Sequence, residues 1–314
     1  KLTKEAQKCY RAAQICNFIE LRSAAAIVCA LTHCKLSAGM GFIFMRTKRK
    51  VLLLKIIMIF LALVVSNCAV CQQIANYPRP ESSNDVRSVY PLALLELCEE
   101  KSKGKVKFQP SSVHTQQARS IRQLVNGTGG MDVMWGLTND ERENTMLPIR
   151  IPIDRGLIGW RLMLIRDQDR ARFAAVSTKD DLAKLVAGQG HDWPDVDVLR
   201  ANQLRVTTSS TYQGLFHMLV RGHIDYFPRS ISEIWPEAEA HKNVNLSVQS
   251  HLLVHYPAAL YYFVNKNNTE LARTIEACLN TAIADGSLQN LFNQYYADAI
   301  SQARLSERTI IRLT

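Results

Sequence analysis

From Gln72 onward the chain alternates strand-like and helix-like segments, and that alternation confines it to an α/β architecture. Residues 74–77 read as a first strand. Val86, Val89, Tyr90, Leu94, Leu97 and Cys98 follow at three- and four-residue spacing, the mark of a helix with one apolar face. Pro91 leaves the start of that helix open, because proline is comfortable only in a first turn. A lysine-rich turn at 101–105 leads to a strand at 106–109, and a helix over 115–124 stops at the glycine-rich 126–130. Residues 131–135 read as the third strand. These glycines follow a helix and precede a strand, the reverse of a dinucleotide-binding turn. An extended stretch over 147–165 opens a second α/β unit, with a helix over 179–185 capped by Ser177 or Thr178 and carrying Asp180 and Asp181 in its first turn. A strand at 206–208, a helix over 212–220 and a strand at 224–227 come next. Extended residues 259–264, a helix over 269–284 and a last helix over 288–297 complete the series.

The net charge of +10 suggests a polyanion-binding protein until it is located. Residues 1–71 hold eleven Lys and Arg against two Asp and Glu, leaving 27 basic and 26 acidic residues beyond them. The basic excess thus belongs to a leader, and no nucleic-acid partner is expected. Within that leader, 45–50 is a short basic run, 51–65 is apolar apart from Lys55, and 66–71 is small-residue rich. That order is a secretory signal peptide, with cleavage before Gln72 and export. A retained anchor is the alternative, but the apolar run is shorter than the ~20 residues of a span. A lipid anchor at Cys68 or Cys71 fits less well, since Asn67 and Val70 are poor residues before a lipidated cysteine. We read Met45 as the start and 1–44 as translated upstream sequence with no function. Cleavage leaves Cys98 and Cys278, which read as buried small hydrophobes or, in an oxidising compartment, as a disulfide.

Four local patterns, in order over about residues 74–297, resemble the bacterial periplasmic solute-binding proteins of the amino-acid-binding type. They are a strand, a polar loop and an arginine (Asp132 through Arg142); the segment Asp180 through Gly190; the segment Leu219 through Tyr226; and a helix ending Ala284-Asp285-Gly286-Ser287. The resemblance implies a two-lobed α/β fold with two hinge crossings, near 160–164 and 259–264. Lobe one would be 72–160 plus 260–300, lobe two 161–259, and 301–314 a C-terminal tail. A small polar ligand would bind between the lobes and favour hinge closure. The implied partners of such a monomer are that ligand and an ABC-type membrane permease or a membrane receptor, for transport or sensing.

The resemblance directs attention to particular residues. Arg142 would fork onto a ligand carboxylate, or else pair at the surface with Glu141 or Glu143. Asn139 and Thr138 stand where the family places a Ser or Thr. Trp135 and Trp193 would stack on the ligand or belong to the core. Gly190 and His191 open a turn able to hold an anionic group. Asp225 would accept from an ammonium or cap a loop, and Arg229 would touch the ligand or bridge the lobes. His191 lacks a second ligand at metal spacing, and His223, His251 and His255 are scattered, so no metal site and no cofactor are expected. Neither a nucleophile elbow, a zinc motif nor a phosphate loop is present, so no catalytic residue is assigned. The rival reading, a dehydratase-like enzyme on the same fold, would use Glu141 or Asp225 as its acid–base group.

Overall fold

The computed structural model describes residues 72–80 and 85–314, so the leader assignments over 1–44 and 45–71 lie outside the described residues. Strands β1 (Gln73–Tyr77) and β2 (Val106–Pro110) pair in parallel, joined by helix α1 (Val89–Lys101). Pro91 is the third residue of α1, where the backbone N–H has no partner within the helix to lose. Helix α2 (Gln117–Asn126) ends on Gly127 in the left-handed region, at φ 61°. Strands β3 (Val133–Leu137), β4 (Leu147–Ile149) and β11 (Leu260–Val264) form an antiparallel sheet with β11 in the middle. Asn76 and Asp132 stitch the two sheets together: the Asn76 backbone and side-chain N–H groups both donate to the Asp132 carboxylate, at 2.8 and 2.7 Å. The chain between β3 and β4 turns through a short helix, α3 (Asp140–Thr145).

The second lobe is built on a seven-stranded sheet of β5 (Trp160–Arg166), β6 (Val186–Gly190), β7 (Arg205–Ser209), β8 (Tyr226–Ser230), β9 (Leu246–Val248), β10 (Leu252–His255) and β12 (Thr309–Arg312). The order is β12-β10-β5-β8-β6-β7, with β9 paired to β5. Between these strands run helices α4 (Arg170–Ala174), α5 (Lys179–Ala183), α6 (Asp195–Ala201), α7 (Tyr212–Val220) and α8 (Ile231–Ala240). Thr178 and Asp181 form a reciprocal capping box on α5, as the threonine and paired aspartates foretell. Ser230 and Glu233 do the same for α8, which carries Pro236 inside it. Helices α9 (Thr269–Ala284) and α10 (Ser287–Ala303) return to the first lobe, where Leu271, Ile275 and Leu279 are buried with Leu94 and Leu95 of α1. A disulfide joins Cys98 of α1 to Cys278 of α9, with Cα atoms 5.3 Å apart, so these cysteines are more than small hydrophobes.

The chain passes between lobes over residues 150–159 and again over 256–259, just ahead of the two strands where the crossings are expected. The passages touch. Tyr256 N donates to Gly159 O at 3.2 Å, and any Cβ on residue 159 would collide with the Tyr256 carbonyl, so only glycine fits there. A third passage exists that the sequence reading lacks. Residues 301–314, expected as a tail, finish α10 and then supply β12, which pairs in parallel with β10. Arg308 pins this passage by donating to the carbonyls of Gln249, at 2.7 Å, and Leu252, at 3.0 Å. Among the described residues no helix is long and apolar enough to cross a membrane.

Candidate functional site

The cleft between the lobes encloses a free volume of about 130 Å³, well above the ~10–15 Å³ that one water requires. The first lobe contributes Asp85 and Arg87 ahead of α1, Gln117 at the start of α2, Trp135 and Gly136 of β3, and Arg142 of α3. The second contributes Arg161, Trp193, Asp195, Arg229 and Glu233. Counting Arg79, five arginines face three carboxylates, a formal excess of two positive charges.

Arg142 stands on a helix rather than on the loop that the sequence suggests, and it is 4% exposed. Its guanidinium donates to Leu137 O (2.8 Å), Gln117 Oε1 (2.8 Å) and Asp192 O (3.0 Å), all neutral acceptors. The surface pairing with Glu141 or Glu143 does not form. Glu143 instead binds Arg150 at 2.6 Å, and Glu141 is exposed. Burial lowers the Arg142 pKa against the pull of Asp192, Asp195 and Glu141. Gly136 makes room for the side chain, since a Cβ there would lie 2.5 Å from Nη1. The contact with Asp192 ties the first lobe to the second.

The other arginines are in a different electrical state. Arg161 forms an ion pair with Asp195 at 2.5 Å and donates through Nε to Tyr256 Oη at 2.9 Å. Arg229 meets Glu237 at 2.8 Å and Glu233 at 2.9 Å, and Tyr212 Oη also donates to Glu237, at 2.8 Å. Burial works to lower both arginine pKa values, but the acids outweigh it and hold them above the ordinary value. Arg229 is therefore a paired wall residue whose partners lie on α8 of its own lobe; it does not bridge the lobes. Arg87 is held by Asp85 at 2.7 Å, and its guanidinium lies 4.1 Å from the Tyr212 ring centroid across the cleft.

Trp135 and Trp193 both line the cleft and are half-buried. Trp135 packs edge-on against Tyr262, and Trp193 stacks on Phe227 with centroids 6.2 Å apart. Gly190 carries Trp193: a Cβ there would lie 2.5 Å from the indole, so its part is close packing, not anion capture. His191 is exposed, its ring 3.3 Å from Ser209 O, and it does not line the cleft. Asn139 and Thr138 also turn elsewhere. Asn139 caps α3 by accepting from Arg142 N at 2.9 Å, and Thr138 donates to Glu143 at 2.7 Å. Asp225 lies outside the cleft lining, bound by Arg172 at 2.6 Å and Val186 N at 2.8 Å. Of nine residues singled out in the sequence, the structure brings Arg142, Trp135, Trp193 and Arg229 together. Gln117, Arg161, Asp195 and Glu233 escaped notice; Asp195 and Glu233 sit in helical first turns, where acids are ordinarily explained by the helix dipole. Among the described residues no cluster of potential metal ligands occurs.

No family model and no curated protein sequence matches this chain. Solved structures do resemble it. An ancestral arginine-binding protein bound to arginine aligns with 72% of this chain and 98% of its own, at 14% identity and a TM-score of 0.54. An amino acid ABC transporter substrate-binding protein from Streptococcus pneumoniae, bound to L-arginine, aligns over 72% and 94%, at 12% identity and a TM-score of 0.54. A histidine kinase sensor domain with similarity to periplasmic binding proteins aligns over 72% and 96%, at 14% and 0.54. The fold is that of the two-lobed periplasmic solute-binding proteins.

Proposed function

We propose that this chain is an exported solute-binding protein that holds a small carboxylate-bearing molecule between its lobes. Delivery to an ABC-type permease or presentation to a membrane receptor would follow. The observation that carries the reading is Arg142: a buried guanidinium at a cleft reached from both lobes, hydrogen-bonded only to neutral acceptors. A carboxylate entering there would supply the missing charge in a desolvated setting, where such pairs are strongest. The fold likeness to binding proteins supports binding over catalysis, as does the placement of the two acids an enzymatic version would need. Glu141 is exposed and Asp225 is bound outside the cleft lining. The Cys98–Cys278 disulfide supports an oxidising compartment.

A thermal-shift screen of small acids against the purified protein finds the ligand, since binding to the folded state raises its Tm. Calorimetry then compares wild type with Arg142→Ala and Arg142→Lys. Loss of the fork should cost about 2–5 kcal/mol, or roughly 30-fold or more in affinity, with Lys restoring only part. Undiminished affinity in Arg142→Ala, with an unchanged circular dichroism spectrum, would rule out the arginine as anchor.

A further inference from the structure

Resting on the carboxylate reading above, we infer that the cleft takes ligands with two carboxylates, one held by Arg142 and the second by Arg79. The charges of the cleft are unevenly divided between the lobes. In the second lobe Arg161 and Arg229 meet more acids than they number. Asp195 lies 2.5 Å from Arg161, Glu233 lies 2.9 Å from Arg229, and Glu237, behind the wall, lies 2.8 Å from Arg229. The first lobe brings Arg79, Arg87 and Arg142 to the cleft against a single acid, Asp85. Asp85 takes Arg87 through both oxygens, at 2.7 Å each. Arg79 and Arg142 remain, and among the described residues neither forms an ion pair. The surplus positive charge of the cleft therefore resides on these two side chains.

One stretch of chain positions both. Arg79 stands two residues beyond β1, and its Nε donates to the carbonyl of Ser111, the first residue beyond β2. Because β1 and β2 are parallel, this contact lies at their C-terminal ends, where parallel α/β sheets place their ligands. It orients the guanidinium and leaves both Nη groups without an acceptor among the described residues. Arg142 leans on the next part of the same stretch, donating to Gln117 Oε1 at 2.8 Å. Between those anchor points Thr115 also lines the cleft, its hydroxyl 2.6 Å from that of Ser120. A guanidinium fork fits a carboxylate best, so a ligand with a single carboxylate would leave one cation in this wall without a counter-charge. The second lobe cannot take the second carboxylate. Its uncommitted oxygens, Asp195 Oδ2 and Glu233 Oε1, are acceptors and would repel it.

The test uses diacids and their monoamides, which match in shape and differ by one charge. The pairs are L-aspartate and L-asparagine, L-glutamate and L-glutamine, succinate and succinamate, and glutarate and glutaramate. Each is titrated calorimetrically into the full chain at neutral pH. In at least one pair the diacid should bind about ten times tighter or more, a moderate factor because Arg79 is only half-buried. Arg79→Gln should bring that ratio down to about one, since an amide at residue 79 no longer distinguishes the two by charge. A smaller ratio in every pair that binds overturns the second carboxylate while leaving the Arg142 reading in place. A tenfold ratio that survives Arg79→Gln overturns the assignment to Arg79. Binding by no member of any pair overturns the carboxylate reading itself, and the second site with it.

Discussion

Asp154, in the first passage between the lobes, is 1% exposed and accepts from Gly156 N at 3.1 Å and Ile158 N at 2.6 Å. Burial outweighs these contacts and pushes its carboxyl up to about 6 from 3.8. The unfolded chain therefore ionises before the folded one. The stability this group contributes is full below about pH 4 and is lost as pH rises through about 6, amounting to about 3 kcal/mol. Asp154→Asn cannot titrate, so the stability difference between wild type and this variant should fall by most of that amount from pH 4 to pH 7. Denaturant melts at both pH values measure it, and parallel profiles would mean that the carboxyl ionises normally in the folded protein. At this same scale the sequence was legible for Arg142, because a strand, a polar turn and an arginine are contiguous. It was opaque for Arg229, whose neutralising acids Glu233 and Glu237 lie on a helix that Pro236 disguises as a turn. Asp225 misled for a similar reason: Arg166 and Arg172, which bind it, are more than fifty residues away in the chain.

Helices with a long apolar stripe were readable, and α7 and α9 begin and end at the expected residues. Other elements were not, α3, α6 and β12 among them. The short α3 and α6 have too few turns to show a period, and β12 is four residues whose partner β10 is remote in sequence. What makes β12 an element is tertiary: Ile311 and Leu313 are 6% and 3% exposed, packed with Leu252 and Val254. Ile311→Ala should accordingly cost about 2–4 kcal/mol. Thr309→Ala, at the exposed first position of the same strand, should stay within about 0.5 kcal/mol. Chemical denaturation of the two variants reads the difference. A negligible cost at Ile311 would show that the third passage lies on the sheet without supporting it.

Over the whole molecule the first lobe is assembled from two stretches of chain with the second lobe between them, and Cys98–Cys278 locks those stretches together. A crosslink of this span should stabilise the folded protein by about 2–4 kcal/mol. The Cys98→Ser, Cys278→Ser double variant should therefore melt earlier than wild type, and reducing agent should lower the wild-type Tm toward it without affecting the variant. Coincident melts under all conditions would show that the crosslink adds nothing. The same bond also sets a clock on biosynthesis. Its cysteines are 180 residues apart, so at about 5–20 residues per second Cys98 is made roughly 10–40 s before Cys278. For that interval the half-made lobe carries an unmatched thiol beside a parallel pair of strands that still lacks its covering helices. The yield of correctly oxidised protein is thus decided by whether that thiol waits or is captured by another.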